Sequence, residues 1–249
     1  MLENLSISGE WIAKKYFPDD LNSIHLWLID IPSFDLNCIE GILSESETKK
    51  ASAFRFFKDK KTYRVCRGVL RLLVGKYSGC SPEQVLFEQN EYGKPELSNV
   101  SSGNLFFNVS HSEQFSLIAL SKKSPLGVDL EFVRPIDYLS LIESVFSESE
   151  KEEFLGIPFN LRSRAFYSGW TRKEAFIKAI GKGLSFSLKD FRISVNPFES
   201  VSNVEIFSEN SGVVKKWKVV DTSFNDQYRA ALAVEKDNCQ TIEKYIYEL

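Results

Sequence analysis

Two segments 103 positions apart carry one pattern, and this constrains the fold more than any other feature of the chain. Ser44 followed by Glu47, and Ser147 followed by Glu150, are both capping-box pairs. In such a box the serine hydroxyl and the glutamate carboxylate each take an amide that a helix start leaves unbonded. The same shift lays the apolar run 24–31, closed by Pro32, onto 127–134, and lays 64–71 onto 167–174. At a slightly larger offset, 226–233 resembles 113–120. Each half reads strand, capped helix, long helix, strand hairpin. The pattern predicts an α/β (α+β) chain made as a pseudo-two-fold duplication, with an N-terminal half at 1–124 and a C-terminal half at 125–249. A duplicated chain makes a pseudo-dimer within one monomer, and its active site is expected in the cleft between the halves.

Composition narrows the class. The 249 residues are 43% hydrophobic and include 20 Phe, enough for a sizeable core and too apolar for a disordered chain. A net charge of −3 gives no bulk basic excess, so nucleic acid is not an expected partner. The first residues, Met1-Leu2-Glu3-Asn4, show no basic segment leading into an apolar run. No stretch approaches the roughly 18 apolar residues of a membrane span. Cys38, Cys66, Cys80 and Cys239 are scattered without a CxxC pair, which fits free thiols in a reducing, cytoplasmic setting and not a zinc site.

Along the chain, 85–88 reads as a strand. Residues 90–96, punctuated by Gly93 and Pro95, read as a turn. Residues 105–110 and 115–120 read as two strands around the polar tip His111-Ser112-Glu113-Gln114. Ser110 beside His111 is not a nucleophile–base pair: neighbours on an extended chain point to opposite sides, and no GxSxG-type elbow is present. Residues 189–195 and 216–220 alternate and are expected to finish the second sheet, with 197–212 a polar loop between them.

Two charged stretches carry chemistry. From Lys49 to Lys76 there are ten basic residues, among them Lys49, Arg55 and Arg64, against the single acid Asp59. So lopsided a run in a net-acidic chain points to an anion site, most simply for a phosphate-rich small molecule. In 126–133, Asp129 and Glu131 lie two apart on a strand and project from one face. Two like charges side by side call for something positive between them, and a hard divalent cation suits oxygen ligands.

The third charged element is 170–183, Trp-Thr-Arg-Lys-Glu-Ala-Phe-Ile-Lys-Ala-Ile-Gly-Lys-Gly, read as a helix ending in glycines. Glu174 and Lys178 are four apart and share a face. Alone, that spacing describes a surface ion pair. Beside the acidic strand of the same half, Glu174 becomes a third carboxylate for one Mg2+ or Mn2+, and Lys178 a charge for a phosphate. This set suits phosphoryl transfer, where catalysis is mostly positioning and charge neutralisation. A metal-dependent nuclease or phosphohydrolase and a non-catalytic binding module use similar residues and remain alternatives at this point.

The chain resembles the Sfp-type 4'-phosphopantetheinyl transferases. The resemblance is carried by Tyr92-Gly93-Lys94-Pro95, by Phe107-Asn108-Val109-Ser110-His111-Ser112, by Gly127-Val128-Asp129-Leu130-Glu131, and by the 170–179 helix with Gly181-Lys182-Gly183-Leu184. These occur in family order over about residues 44–195. The resemblance implies an enzyme that binds coenzyme A and Mg2+ and moves phosphopantetheine onto a serine of an apo acyl or peptidyl carrier protein. Adenosine 3',5'-bisphosphate is released. It implies that Asp129, Glu131 and Glu174 hold the metal. Glu174, directly or through a metal-bound water, takes the serine proton, and Lys178 steadies the pyrophosphate. Lys94, Ser110 and His111 contact the nucleotide end, His111 at the 3'-phosphate, and Lys49, Arg55 and Arg64 match basic positions around it. Two neighbouring family positions, commonly basic or hydroxyl-bearing, are Ser52 and Val65 here. Fatty-acid, polyketide and non-ribosomal peptide carriers all fit.

Overall fold

The computed structural model describes residues 10–98, 105–207, 216–236 and 241–247. They form a mixed α/β protein that divides into two compact units. Of the described residues, the first unit takes 10–88, 95–98, 105–123 and 241–247, and the second takes 89–94, 124–207 and 216–236.

The first unit runs β1 (Ile12–Lys14), β2 (Ile24–Asp30), α1 (Glu45–Ala53), α2 (Phe57–Ser78), β3 (Phe87–Gln89), β4 (Pro95–Leu97), β5 (Phe106–Ser112) and β6 (Phe115–Ser121). The last strand of the chain, β13 (Ile242–Tyr247), also lies here. It pairs in parallel between β1 and β2, giving a five-stranded sheet in the order β1-β13-β2-β6-β5. The Ser44 capping box forms as expected and starts α1. α2 presents Val65, Val69, Leu73 and Leu70, Val74, Tyr77 at helical spacing to Trp27, Ile118 and Leu120 of the sheet. The β5–β6 hairpin is tighter than its sequence predicts. Both strands extend into the polar tip, leaving only Glu113 and Gln114 to turn, and Glu113 takes φ 51.

The second unit runs β7 (Leu126–Phe132), α3 (Tyr138–Val145), α4 (Glu148–Leu155), α5 (Arg162–Ile180), β8 (Phe191–Arg192), β9 (Val201–Asn203), β10 (Glu205–Ile206), β11 (Trp217–Asp221) and β12 (Tyr228–Glu235). Its main sheet is antiparallel in the order β7-β12-β11-β9. The expected polar loop at 197–212 holds β9 and β10 within its described part, up to residue 207. Segment 189–195 gives β8 to a separate two-stranded ladder with β10 and does not join the main sheet. The Ser147 box forms and starts α4.

α5 is the centre of the second unit. It begins at Arg162, eight residues before Trp170, and ends at Gly181, whose φ of 70 suits a residue without Cβ. Twelve of its residues are buried, on several faces, as befits a helix enclosed by protein. Ala175, Phe176, Ile177 and Ala179 pack with Trp217, Val219, Ala231 and Ala233 of the sheet. Ala165, Phe166 and Tyr167 pack with Ile142, Phe146 and Phe154. Lys173 is fully buried, and its ammonium donates to the carbonyls of Leu188 and Phe191 and pairs with Glu150 at 2.7 Å. Burial pulls the Lys173 amine down to about 8, with Glu150 opposing. No helix among the described residues is long and apolar enough to cross a membrane.

Candidate active site

The site is built on β7 and α5. Val128 and Leu130 turn into the core, so alternation puts Asp129 and Glu131 on the opposite face. α5 lies along that strand, and three neighbour relations fix its register. Gly127 faces the backbone of Ala175 and Ala179. Asp129 meets Lys178, whose Nζ donates to Oδ1 at 2.6 Å. Near the helix start, Tyr167 meets the backbone of Arg134, just past the end of the strand. Glu174 sits between, one turn before Lys178 and two turns after Tyr167, so all three share a face.

The electrostatics follow from this packing. The Glu174 carboxyl lies above the usual carboxylate range: burial is the chief cause, the charge of Asp129 adds to it, Lys178 opposes and Glu131 adds a little. The lysine serves Asp129, which is 4% exposed, and Glu174 is left under the field of two other acids. Oxygen donors crowded by their own repulsion suit a hard divalent cation, so the residues fit one. Among the described residues no three acid, imidazole or thiol groups already stand as a metal-binding set.

A pH dependence follows, with its sign fixed by the raised carboxyl. Folding raises the affinity of Glu174 for its proton, so between the ordinary carboxylate value and the raised one the metal-free fold loses stability as pH rises. A divalent cation needs the ionised form and binds more strongly through the same window. The rise in melting temperature produced by Mg2+ is expected to grow from about pH 5 to about pH 8. In Glu174→Gln that growth should largely vanish. Thermal unfolding at both pH values with and without Mg2+ measures it, and an equal rise at both in the wild type removes Glu174 from the metal site.

The other sequence-predicted residues divide. Lys94 belongs to the turn 89–94 of the second unit, where its Nζ donates to the Ala179 carbonyl at 3.1 Å. Its amine therefore holds the end of α5, a role its motif did not announce. Ser110 and His111 both lie in β5, Ser110 buried and His111 exposed. Lys49 and Arg55 are exposed and Arg64 half-buried, and none of the three has an ion-pair partner among the described residues. Much of the remaining basic run is engaged in ion pairs within the fold. Arg71 and Arg67 pair with Glu47 at 2.7 and 3.1 Å, Lys58 with Glu113 at 2.6 Å, and Lys76 with Asp19 at 2.5 Å. Beside α2, a cavity of about 180 Å3 is lined by Tyr63, Cys66, Leu70, Pro95, Phe107 and Val109, with Arg67 and Asn108. Burial pushes the Cys66 thiol up to about 11, so it lines this cavity as a neutral group. Cys38, Cys66 and Cys80 are free thiols, as expected, and Cys239 lies outside the described residues.

Three residues that matter here escaped the sequence reading of roles. Gly127 was visible only as part of a motif, Tyr167 only as the start of the repeated segment 167–174, and Asn90 only as a turn residue. A glycine two positions before a strand acid was the one available signal.

Comparison with known proteins adds a second line. Residues 125–233 match the family model described as the 4'-phosphopantetheinyl transferase superfamily. Residues 33–123 match the one described as 4'-phosphopantetheinyl transferase, N-terminal. The 4'-phosphopantetheinyl transferase HetI of Nostoc sp. is 32% identical over 217 residues, 86% of this chain and 88% of the relative. The 4'-phosphopantetheinyl transferase Sfp of Bacillus subtilis is 28% identical, covering 82% and 88% of the two chains. The L-aminoadipate-semialdehyde dehydrogenase-phosphopantetheinyl transferase of Pongo abelii is 24% identical, covering 78% and 67%.

Proposed function

Because the chain belongs to the 4'-phosphopantetheinyl transferase superfamily, and is an enzyme of that type, we propose that it acts on coenzyme A and an apo acyl or peptidyl carrier protein. The 4'-phosphopantetheine group passes to a carrier serine, and adenosine 3',5'-bisphosphate leaves. The observation that carries this reading is Glu174, a carboxyl raised by burial and by Asp129, one helical turn from a lysine bonded to that same Asp129. A carboxylate with a raised pKa is a better proton acceptor for a hydroxyl than an ordinary one.

In the proposed reaction the serine oxygen forms a bond to the phosphorus that carries pantetheine, and its proton goes to Glu174. The bond from that phosphorus to the bridging oxygen of the pyrophosphate breaks, and the electron pair stays on the adenosine bisphosphate. Lys178 balances the charge that gathers on the leaving phosphate. Asp129, Glu131 and Glu174 would hold Mg2+, which when bound would neutralise charge on the pyrophosphate. Lys49, Arg55, Arg64, Ser110 and His111 take the nucleotide end, with His111 at the 3'-phosphate, and Lys94 adds to them from the turn at 90–94. The mainly apolar cavity beside α2 favours a flat ring such as the nucleotide base.

We also propose the pseudo-two-fold duplication with halves 1–124 and 125–249. What supports it is one device used twice. In each unit the capping-box glutamate of a short helix pairs with a buried cation of the following long helix: Glu47 with Arg71, and Glu150 with Lys173. The enzyme is proposed to work as a cytoplasmic monomer.

The test is direct. The protein is incubated with coenzyme A, Mg2+ and several apo acyl and peptidyl carriers, and each carrier is weighed by mass spectrometry. The expected result is a gain of one phosphopantetheine on at least one carrier. No gain on any of them rejects the reading.

A further inference from the structure

We propose that Asn90 is a positioning residue for the catalytic helix: through its side-chain amide, the turn 90–94 caps the C-terminus of α5 and fixes where Glu174 and Lys178 stand. This rests on the transferase reading above.

The turn is organised by Asn90 itself. Its Oδ1 accepts the amides of Tyr92 and Lys94 at 3.0 and 2.9 Å, and its own amide donates to the Lys94 carbonyl at 3.0 Å. Gly93 makes the bend with φ 84. With Oδ1 so engaged, Nδ2 is directed to α5, where it donates to the Gly181 carbonyl at 3.1 Å. Lys94 Nζ reaches the Ala179 carbonyl at the same distance. The last carbonyls of a helix have no partner within it, and a cation there also meets the negative end of the helix dipole. Asn90 and Lys94 supply both kinds of partner to α5.

The cap is seated without slack. A Cβ at Gly181 would lie 3.2 Å from both Asn90 Nδ2 and Lys94 Cδ. Lys178, whose ammonium holds Asp129, lies in this same last turn, and Glu174 is one turn further back. Loosening the cap shifts or frays the turn that presents Lys178 and moves Glu174 against Asp129. Catalysis by positioning tolerates little of this, and a 1 Å displacement of a reacting group costs roughly 10²-fold.

Asn90→Asp isolates the contact. The carboxylate keeps an oxygen for the Tyr92 and Lys94 amides, loses the donor to Gly181, and sets a negative charge against a carbonyl. Lys94 is unsuitable for this test because it is itself placed at the nucleotide. Turnover with coenzyme A and a responsive apo carrier is expected to fall roughly 10-fold in kcat, with KM for coenzyme A changed by less than about twofold. The Mg2+ concentration for half-maximal rate, and for the half-maximal rise in melting temperature, is expected to increase. Wild-type kcat with wild-type Mg2+ dependence in Asn90→Asp overturns the proposal. So does a fall in melting temperature alone. Should Asn90→Asp not fold, Asn90→Ser keeps a turn-forming oxygen, is too short to reach Gly181, and is measured the same way. If the wild type modifies no carrier, the transferase reading fails. The melting-temperature response to Mg2+ then still decides whether Asn90 positions the acidic site.

Discussion

Glu174→Gln is expected to lower the transfer rate by about 10²-fold or more while leaving the fold at least as stable as the wild type. The two halves of this expectation come from one observation. The Glu174 carboxyl is raised above its usual range by burial and by Asp129, so its ionised form costs the folded state free energy. Glutamine keeps the shape and removes that cost, and melting temperature therefore holds or rises. The rate falls because the same charge is what accepts the serine proton and helps hold the cation. Stability and activity moving in opposite directions mark a residue kept for chemistry. Measuring melting temperature and single-turnover transfer on one preparation of the variant checks both. Full activity removes Glu174 from the mechanism. A collapse in melting temperature makes it a packing residue.

What the sequence disclosed, and what it hid, follows the range of the interactions. Local devices were legible: both capping boxes, the alternation that puts Asp129 and Glu131 on one face, the four-residue spacing of Glu174 and Lys178, and the terminating Gly181. Each depends on residues a few positions apart, where helix and strand periods alone decide geometry. Pairing across long separations was not legible. β13 joins the first sheet in parallel with β2, more than 200 residues away, and no local pattern encodes a parallel partner. β9 and β10 are three and two residues long, too short for alternation to register, so they were expected as loop. The basic run was legible only in part, for a related reason. Its sign was readable, yet Arg67 and Arg71 are held by Glu47 inside the fold, and the sequence does not say which cations already have partners. Lys94 is the same lesson in one residue: its motif marked it for a nucleotide, and its amine also caps α5. In the candidate site, residue types were visible and their assignment to one another was not. The 174/178 spacing suggested an ion pair between those two residues, whereas the lysine bonds to Asp129.

Gly127→Ala is expected to have the largest structural effect of any single methyl group added near the site. A Cβ at Gly127 would fall well inside 3.0 Å of the Ala175 carbonyl oxygen and the Ala179 nitrogen, closer than real Cβ atoms come, and 2.9 Å from Ala179 Cα. These are backbone atoms of a helix and cannot rotate away, so α5 must lift from β7 by about 1 Å to restore ordinary contact. The helix carries Ala175, Phe176, Ile177 and Ala179 into the core. Lifting it therefore opens packing along its length and costs about 3 kcal/mol, the upper end for an overpacked core. In a protein of this size that lowers the melting temperature by roughly 10 °C. The same displacement separates Glu174 and Lys178 from Asp129, two residues along the strand, so the protein that remains folded should also transfer more slowly, again by about 10²-fold. Calorimetry and turnover measured well below the new melting temperature separate the two losses. A melting temperature within about 2 °C of wild type shows that α5 is not seated on Gly127. In that case the spacing of the acids is set from the other end of the helix, by the Asn90 cap. A large loss of stability with full turnover places the catalytic spacing outside the β7–α5 contact altogether.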